Sequence, residues 1–512
     1  MAKYDPLITV TSVKGIDDQS QKLIGIKPDV LEDNVWEHAY ESELGIKVKY
    51  TWTAPGNQFV QKLNTQIAAN SLPDIIPCSA TQLKMLVDND VAADLTDVFR
   101  RYATDFTNEM MKEDNNIGVS QATIGGRLKA LPHLDGNRDA ANMWWVRKDW
   151  LGNLGLGEPK TMDDILKIAE AFAKDDPDQD GKADTYGLAL HKDLFSGTAG
   201  LEAFMEGYHA YCDGWLKDSS GKIVSGVIQP EVKAALSTLQ KLYAKGIVDK
   251  EFAVKDASKV SEDIIAGKTG LFSGQHWQAF YPIPDSVKKN PKASWAVYPI
   301  VSSDGKPAKT MLNGSTTTFY AVNKSMKNPE AAVKLYNYFY KKDPAISKDF
   351  DSAFHGINGE QETKVGNNYC WAVELSFYPK QNLFISQQVN KYLTTKDESL
   401  LKNFWVKDNV TQIQKYLAGD KTLYGAWMWC GPDSAEQVID KYDKNSLFLQ
   451  NAYIGADTDS MTQYNTTLDH LKLTEFTKII MGQSPIGAFD DFVSQWHKLG
   501  GDSITEEVNE AK

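Results

Sequence analysis

An acidic segment in the middle of the chain has the spacing of a calcium-binding loop. Residues 176–184 read Asp-Pro-Asp-Gln-Asp-Gly-Lys-Ala-Asp, so carboxylates stand at positions 1, 3, 5 and 9 and glycine at position 6. Alternating side chains in a tight turn direct their oxygens at one centre, the glycine permits the bend, and a backbone carbonyl adds an oxygen. This is the first part of an EF-hand loop. The predicted ligands are Asp176, Asp178, Asp180, the carbonyl of Lys182, and Asp184.

The end of this loop departs from the EF-hand pattern. Position 12 is Gly187 rather than a bidentate glutamate, so the loop needs closure through Thr185 or a distant carboxylate. One helix, over 161–173, precedes the loop and no paired helix with a sensor-like sequence follows, which favours a structural role for the ion. The alternative interpretation is an acidic surface turn that holds no cation.

Tryptophans are numerous and occur in groups. The chain has 13 Trp and 22 Tyr, with Trp144 next to Trp145 and Trp427 two residues from Trp429. Alternate residues of a strand share a face, so a strand at 427–429 would present two indoles side by side. The flat C–H faces of sugar rings stack on such platforms, which indicates a carbohydrate ligand. Core packing is the alternative for each single tryptophan.

The elements that must position these residues follow an α/β pattern. Alternating apolar residues predict strands at 7–11 and 46–50, an apolar run follows at 74–77, and helical periodicity lies between them. This order is typical of a parallel α/β sheet, whose ligands bind beyond the carboxyl ends of the strands. Further along, 230–245 and 328–339 predict helices, 317–321 predicts a strand, and the patterns after about residue 380 are mostly helical.

Composition excludes several classes of function. A net charge of −13 argues against nucleic-acid binding, and 512 residues exceed the size of one core. No apolar run approaches the roughly 18 residues that span a bilayer. The four cysteines form no CxxC pair, which argues against a structural zinc site or a thioredoxin motif. Glycoside hydrolysis needs only two suitably placed carboxylates, so a secreted glycoside hydrolase remains the alternative to a binding protein.

Short segments along nearly the whole chain match one family in the same order. They are 33–36, 44–46, 72–76, 145–151, the loop at 176–184, 243–249, 267–270 with Trp277, 328–332 and 496–507. Together they resemble the extracellular solute-binding proteins of carbohydrate ABC importers, and more narrowly the large alginate-binding and LipO-like lipoproteins. Each segment alone is only weakly specific for this family, but the occurrence of all of them in the same order is much more specific.

The resemblance implies an α/β fold of the two-lobe periplasmic-binding-protein kind, with hinge strands and an enlarged helical C-terminal part. The first lobe would hold residues 1–143 and roughly 320–355, and the second would hold 144–315 with the calcium loop. Residues 356–512 would form a mostly helical segment that completes the second lobe and the cleft.

The resemblance also implies the function of a substrate-binding protein of an ABC transporter, not of an enzyme. An oligosaccharide would be captured between the lobes and delivered unaltered to membrane permease subunits. The implied cofactor is one structural calcium ion, and the protein would be a monomer. Residues 1–4 have no apolar segment of a secretion signal, which fits either a cytosolic protein or the removal of such a signal; the resemblance favours the second. We expect a lipoprotein on the outer face of the cytoplasmic membrane, or a periplasmic protein in a Gram-negative cell.

Ligand-binding candidates follow from the aromatics and from the resemblance. Trp277 corresponds to a sugar-stacking position of the alginate binders, and of the hinge residues Trp144 and Trp145 one should face the cleft while the other enters the core. The further candidates are Trp427, Trp429 and Trp371 for stacking, and Asp135, Asn137, Arg138 and His355 for polar contacts. For the polar residues a solvated loop is the alternative. The net acidity and the lack of a clear arginine cluster suggest a neutral sugar.

Overall fold

The computed structural model describes residues 2–17, 20–21, 24–25, 28–314, 316–355 and 368–511. Within these residues the strands are β1 Ile8–Ile16, β2 Ile46–Pro55, β3 Ile75–Cys78, β4 Thr123–Ile124, β5 Arg127–Leu128, β6 Ala130–Pro132, β7 Met143–Arg147, β8 Trp215–Lys217, β9 Ile223–Ser225, β10 Leu271–Gly274, β11 Trp295–Pro299, β12 Thr310–Leu312, β13 Phe319–Val322 and β14 Phe448–Gln450.

The same residues contain helices distributed along the whole chain. They are α1 Val35–Ala39, α2 Gly56–Ala68, α3 Ala80–Asp88, α4 Thr96–Tyr102, α5 Asp105–Glu113, α6 Ile117–Gln121, α7 Lys148–Asn153, α8 Met162–Lys174, α9 Glu202–Gly207, α10 Pro230–Ala244, α11 Ala257–Ala266, α12 Ile283–Lys289, α13 Glu330–Lys342, α14 Ser352–His355, α15 Gln381–Thr395, α16 Phe404–Leu417, α17 Tyr424–Cys430, α18 Ala435–Lys444, α19 Asp459–Ile480, α20 Ala488–Trp496 and α21 Asp502–Glu510. The helices predicted at 230–245 and 328–339 are confirmed as α10 and α13.

The chain divides into two compact units. Unit 1 consists of Met1–Asn137 and Gly314–Gln381, and unit 2 consists of Arg138–Asn313 and Asn382–Lys512. The predicted division differs from this one at residues 138–143, which were expected in the first lobe, and at residues 314 and 368–381, which were expected in the second. Residues 368–381 are the longest of these segments. They belong to unit 1 because Ser376 Oγ accepts a hydrogen bond from the Leu134 N–H (2.8 Å) and contacts the buried Tyr336 hydroxyl (2.9 Å).

Unit 1 contains a parallel pair of strands, a three-stranded antiparallel sheet and the short antiparallel pair β4–β5. Strands β1 and β2 pair in parallel, as the strand–helix–strand pattern predicts, whereas β3 pairs with β13 in a three-stranded antiparallel sheet of order β3–β13–β6. The Asp74 carboxylate, just before β3, accepts a hydrogen bond from the Thr11 N–H on β1 (2.8 Å). The predicted all-parallel sheet is therefore wrong for β3, because β13 from later in the chain occupies one of its edges.

Unit 2 is built around the antiparallel sheet β10–β7–β11. All five residues of β7 are buried, because it is the central strand of this sheet. Helix α8 packs an apolar face made of Ile165, Ile168 and Phe172 into the core, and its first turn is fixed by a capping box between Thr161 and Asp164. The acidic loop follows directly after this helix.

The segment with Trp427 and Trp429 corrects a prediction of secondary structure. The sequence predicted a strand with both indoles on one face, but the residues belong to helix α17. The buried residues Tyr424 and Met428 are four apart, which is helical spacing. Residues two apart on a helix do not share a face, so the two indoles form no common platform.

Every helix in the described part of the chain is either too short or too polar to span a membrane.

Candidate functional site

A short aromatic segment of unit 2 is exposed at the end of strand β10. It consists of Trp277, Phe280 and Tyr281, whose exposed fractions are 43%, 55% and 46%. Trp277 lies on the 3-10 turn His276–Ala279, and the other two residues follow this turn. Large aromatic side chains that remain this exposed, next to each other, form an apolar surface that could stack against a ligand.

The turn holds the aromatic segment in place through its buried residues. Gln278 and Ala279 are buried, and Gln278 Oε1 accepts a hydrogen bond from the Thr198 hydroxyl (3.0 Å). Helix α17 packs against the turn at Gly425, where a Cβ would approach the Ala279 carbonyl oxygen to 2.9 Å. The Phe280 ring lies 5.7 Å from the ring of Trp429 on the same helix. The aromatic segment is thus supported from below by packed structure.

Beside Trp277 lies a buried pair of polar side chains that the sequence analysis did not identify. His276 Nδ1 is 2.5 Å from Glu436 Oε1, which also accepts a hydrogen bond from Trp429 Nε1–H (3.1 Å). Burial lowers the pKa of His276, but the charge of Asp139 and the contact with Glu436 outweigh burial and raise that pKa above its usual value. The position of His276 directly before Trp277 was the one sequence signal that could have indicated this residue.

Two of the predicted tryptophans do not face a ligand site. Trp144 and Trp145 are both 0% exposed, which corrects the prediction that one of them faces the cleft. Both belong to the central strand β7, and Trp145 Nε1–H donates to the Gly274 carbonyl (3.3 Å). Trp371, in unit 1, is 1% exposed and is a core residue, so its assignment as a stacking residue is also wrong.

The remaining aromatic candidates are only partly accessible. Trp429 is buried beneath Phe280 and bonded to Glu436, so it supports the aromatic segment without presenting a free face. Trp427 is half-buried, with its ring 5.6 Å from that of Tyr416. Of the six tryptophans proposed from the sequence as ligand-binding residues, Trp277 is the most exposed.

The polar candidates are in different environments. Asp135 is exposed, while Asn137 is buried. Arg138 forms an ion pair with Asp443 (2.9 Å between Nε and Oδ1). His355, in unit 1, contacts Asp343 through Nδ1 at 2.7 Å. Arg138 and His355 are therefore engaged with carboxylates of their own unit.

The acidic loop gathers three of its four carboxylates. Asp176, Asp178 and Asp180 each offer an oxygen, and these oxygens lie within 4.8 Å of one another. Backbone N–H groups of Asp180 and Gly181 donate to the Asp176 carboxylate (3.1 and 3.0 Å), which fixes the turn. Asp184 is exposed and does not belong to this cluster.

The electrostatics of the loop favour a cation. Asp178 Oδ1 is buried and has no hydrogen-bond partner among the residues that the structure describes. Burial and the neighbouring charges of Asp180 and Asp176 raise the pKa of Asp178 above its usual value. The Lys182 ammonium group contacts Asp180 Oδ2 at 2.7 Å and supplies one positive charge. An all-oxygen donor set of this kind fits Ca²⁺.

The structure also explains why a glutamate is missing at position 12 of the loop. A Cβ on Gly187 would lie 1.8 Å from the Ala169 carbonyl oxygen, so no side chain fits there. The Gly187 N–H instead donates to the Ile247 carbonyl (2.8 Å), and the Thr185 hydroxyl donates to the Phe172 carbonyl (2.8 Å). The loop is thus closed by backbone packing, and the hydroxyl of Thr185 is directed to the helix.

Comparison with known proteins identifies a family. The model of the family described as bacterial extracellular solute-binding protein matches residues 25–346. The chain is 25% identical to the lipoprotein LipO of Bacillus subtilis over 92% of this chain and 87% of that protein. It is 26% identical to the polygalacturonan/rhamnogalacturonan-binding protein YtcQ of the same organism, over 90% of this chain and 84% of that one.

A solved structure shows the fold. The ABC-transporter substrate-binding protein FusA of S. pneumoniae, an EF-hand mutant in complex with fructo-nystose, superimposes with a TM-score of 0.59. The match covers 98% of both chains at 16% sequence identity. The expected α/β fold of the periplasmic-binding-protein kind is confirmed, and so is the resemblance to solute-binding proteins.

Proposed function

The chain belongs to the family of bacterial extracellular solute-binding proteins, and we propose that within it the chain is the oligosaccharide-binding component of an ABC importer. The observation that carries this proposal is the exposed aromatic segment Trp277, Phe280 and Tyr281. The names of the relatives support it, because YtcQ is named for binding polygalacturonan and rhamnogalacturonan, and FusA is named as an ABC-transporter substrate-binding protein.

The aromatic segment suits the apolar faces of sugar rings. Its three side chains leave about half of their surface in water, and each would gain from apolar burial against a pyranose or furanose face. Because Trp429 packs against Phe280 and Gly425 packs against Ala279, the turn that carries Trp277 is held in position before the ligand arrives. Such preorganisation reduces the entropy that binding costs.

The charges beside the aromatic segment favour a neutral sugar. The carboxylates of Asp139 and Glu436 lie beside His276, and in the metal-free protein their charge would repel a uronic acid. Arg138 is bound to Asp443. We therefore expect the ligand of this chain to differ from that of YtcQ, whose name indicates binding of polygalacturonan and rhamnogalacturonan.

Transport requires that the oligosaccharide is bound and released without being cleaved. A ligand changes the conformational equilibrium of a binding protein only through its different affinity for the two states. In the proposed cycle the sugar-loaded form interacts with permease subunits and releases an intact oligosaccharide. The protein would be a monomer and would be attached to the outer face of the cytoplasmic membrane as a lipoprotein.

We also propose that the acidic loop binds one structural Ca²⁺. Asp176, Asp178 and Asp180 would supply carboxylate oxygens and Lys182 its carbonyl oxygen. The unpartnered Asp178 Oδ1 supports this assignment, and so does the mention of an EF-hand in the name of the FusA structure. Asp184 would become a ligand only if its side chain turned toward the cluster.

The proposed function is tested by a binding screen with product analysis. Neutral oligosaccharides and matched uronic acid oligomers are titrated calorimetrically, and each mixture is then analysed for shorter sugars. We expect a neutral oligosaccharide to bind and to remain intact. Tight binding of the uronic acid oligomers alone would contradict the charge argument, and release of shorter products would support the hydrolase instead. The Trp277→Ala variant should lose affinity, whereas Val254→Ala, at an exposed apolar residue of the same unit, should not.

A further inference from the structure

A second group of potential metal ligands lies in unit 2 and shares no residue with the acidic loop. Asp139 is on the 3-10 turn Asn137–Ala140, His276 begins the turn before the aromatic segment, and Glu436 is in the first turn of α18. Each offers one ligand atom, and these atoms lie within 4.8 Å of one another. The three residues are far apart in sequence, so only the fold brings them together.

The carboxylate of Glu436 lacks part of its hydrogen bonding. Glu436 is 0% exposed, and its Oε2 has no hydrogen-bond partner in the described part of the chain. The other oxygen, Oε1, contacts His276 Nδ1 and accepts from Trp429 Nε1–H. Leaving a buried acceptor without a partner costs about 1–3 kcal/mol, and more when the group is charged. A bond from Oε2 to a metal ion would remove this penalty.

The charge of the group also calls for a cation. Two carboxylates and one imidazole give a net charge of −2 when the imidazole is neutral and −1 when it is protonated. Glu436 is buried, and a buried carboxylate is stable when it is paired or coordinates a metal. One divalent ion would neutralise the charges of the two carboxylates.

We propose that Asp139, His276 and Glu436 bind one divalent transition-metal ion, with Zn²⁺ as the ion that fits best. An imidazole nitrogen with two carboxylates is a donor set of zinc sites, whereas Ca²⁺ takes six to eight oxygens. Bonds of about 2.0–2.2 Å in a tetrahedral site place ligand atoms about 3.3 Å apart. The contact of 2.5 Å between His276 Nδ1 and Glu436 Oε1 would give way, so that His276 Nδ1 and Glu436 Oε2 both bind the ion.

The residues around the group would orient its ligands. Asn382 Nδ2–H donates to Asp139 Oδ2 (2.7 Å), and Trp429 Nε1–H donates to Glu436 Oε1 (3.1 Å). Hydrogen bonds of this kind fix ligand orientation at metal sites. Three protein ligands leave a fourth position open. Because Trp277 adjoins His276 and Trp429 bonds Glu436, metal binding should also change tryptophan fluorescence.

The test is a calorimetric titration of Zn²⁺ into tag-free protein that is saturated with Ca²⁺. We expect one equivalent of zinc to bind the wild type, and Asp139→Asn and Glu436→Gln to weaken it by about tenfold or more. The matched control is His209→Gln, since His209 contacts the single carboxylate of Asp304 (3.0 Å) in the same unit; it should bind zinc as the wild type does. Co²⁺ in place of zinc should give a strong visible absorption band and quench tryptophan emission.

Several results would overturn the proposal. They are the absence of stoichiometric zinc binding to the wild type, or zinc affinity that is unchanged in both Asp139→Asn and Glu436→Gln. If Glu436→Gln does not fold, the proposal is tested by the zinc affinity of Asp139→Asn and by an anomalous difference map of a zinc-soaked wild-type crystal. A zinc peak between Asp139, His276 and Glu436 supports the site, and a peak only at other residues contradicts it. Neither outcome depends on the identity of the sugar.

Discussion

The two tryptophans inside the central strand of the unit 2 sheet and the tryptophan just beyond its neighbouring strand differ completely in exposure. Trp144 and Trp145 lie on β7 and are 0% exposed, whereas Trp277, three residues after the end of the neighbouring strand β10, is 43% exposed. Strand β7 is hydrogen-bonded on both sides, to β10 and to β11. The chain leaves this sheet at Gly274, and Trp277 lies on the turn that follows.

The difference shows that the position of a tryptophan relative to a strand end decides its role. Indoles inside a central strand are enclosed by the layers that cover the sheet, and they contribute to stability through packing. An indole just beyond the strand can keep a free face because no neighbouring strand or layer covers it. Replacing each kind should therefore affect different properties, stability in one case and ligand binding in the other.

The largest expected effect is the loss of stability on truncating a buried indole. Trp145→Ala should lower the free energy of unfolding by about 3–5 kcal/mol, because it leaves a cavity and removes packing against Phe272. Trp277→Ala should change it by less than about 0.5 kcal/mol. Urea unfolding followed by circular dichroism measures both. Equal losses in the two variants would abolish the distinction between the two groups.

The buried carboxyl group of Glu206, which contacts Asn142 just before β7, should make the free energy of unfolding depend on pH. Burial raises the pKa of Glu206 from 4.5 to about 8, although the Met311 N–H and Asn142 Nδ2–H donate to it (2.8 and 3.2 Å). The folded protein thus holds this proton more tightly than the unfolded chain does. The stabilisation is complete below the unfolded pKa and is lost as the pH rises through the folded pKa.

The expected result is a difference in pH dependence between Glu206→Gln and the wild type. From about pH 5 to about pH 8 the wild type should lose about 3 kcal/mol of stability that the variant does not lose. Urea unfolding at the two pH values measures this, with the exposed Glu231→Gln on α10 as the control. Parallel pH profiles for Glu206→Gln and the wild type would show that Glu206 ionises in the fold as it does in water.

The acidic loop tests whether an ion bound at the protein surface stabilises the folded state. With Ca²⁺ at about one hundred times its dissociation constant, the folded state gains about 2.7 kcal/mol, which chelation should remove. Thermal unfolding with and without chelator measures the shift. Asp178→Asn should reduce it strongly, whereas Asp175→Asn, at an exposed acid outside the carboxylate cluster, should leave it intact. A shift of the same size in both variants would locate the ion elsewhere.

The smallest expected change is in sugar affinity. Trp277→Ala should weaken the binding of an oligosaccharide by roughly 10- to 30-fold, or about 1.4–2 kcal/mol, which is the range of an exposed aromatic anchor. Trp277→Phe should retain part of the affinity because a smaller ring still stacks. Calorimetry with the sugar found in the screen measures both. Unchanged affinity in Trp277→Ala would mean that the aromatic segment does not contact the ligand.

Local patterns allowed parts of this structure to be predicted. The helix expected over 230–245 occurs as Pro230–Ala244, because its apolar spacing, first-turn proline and following glycine all act within a few residues. The acidic loop gathers Asp176, Asp178 and Asp180 for the same reason. The strand expected at 427–429 was wrong, since two alternating indoles are too short a pattern to distinguish a strand from one turn of helix.

The sequence by itself determined the family, the α/β character and the carboxylate spacing of the loop, because short-range spacing and colinear motifs carry that information. The tertiary structure alone decided which tryptophans are buried and which one is exposed, since exposure depends on the layers that pack over each side chain. It also joined Asp139, His276 and Glu436, of which the last two are 160 residues apart. Contacts across such separations arise when elements pack, and no local pattern encodes them.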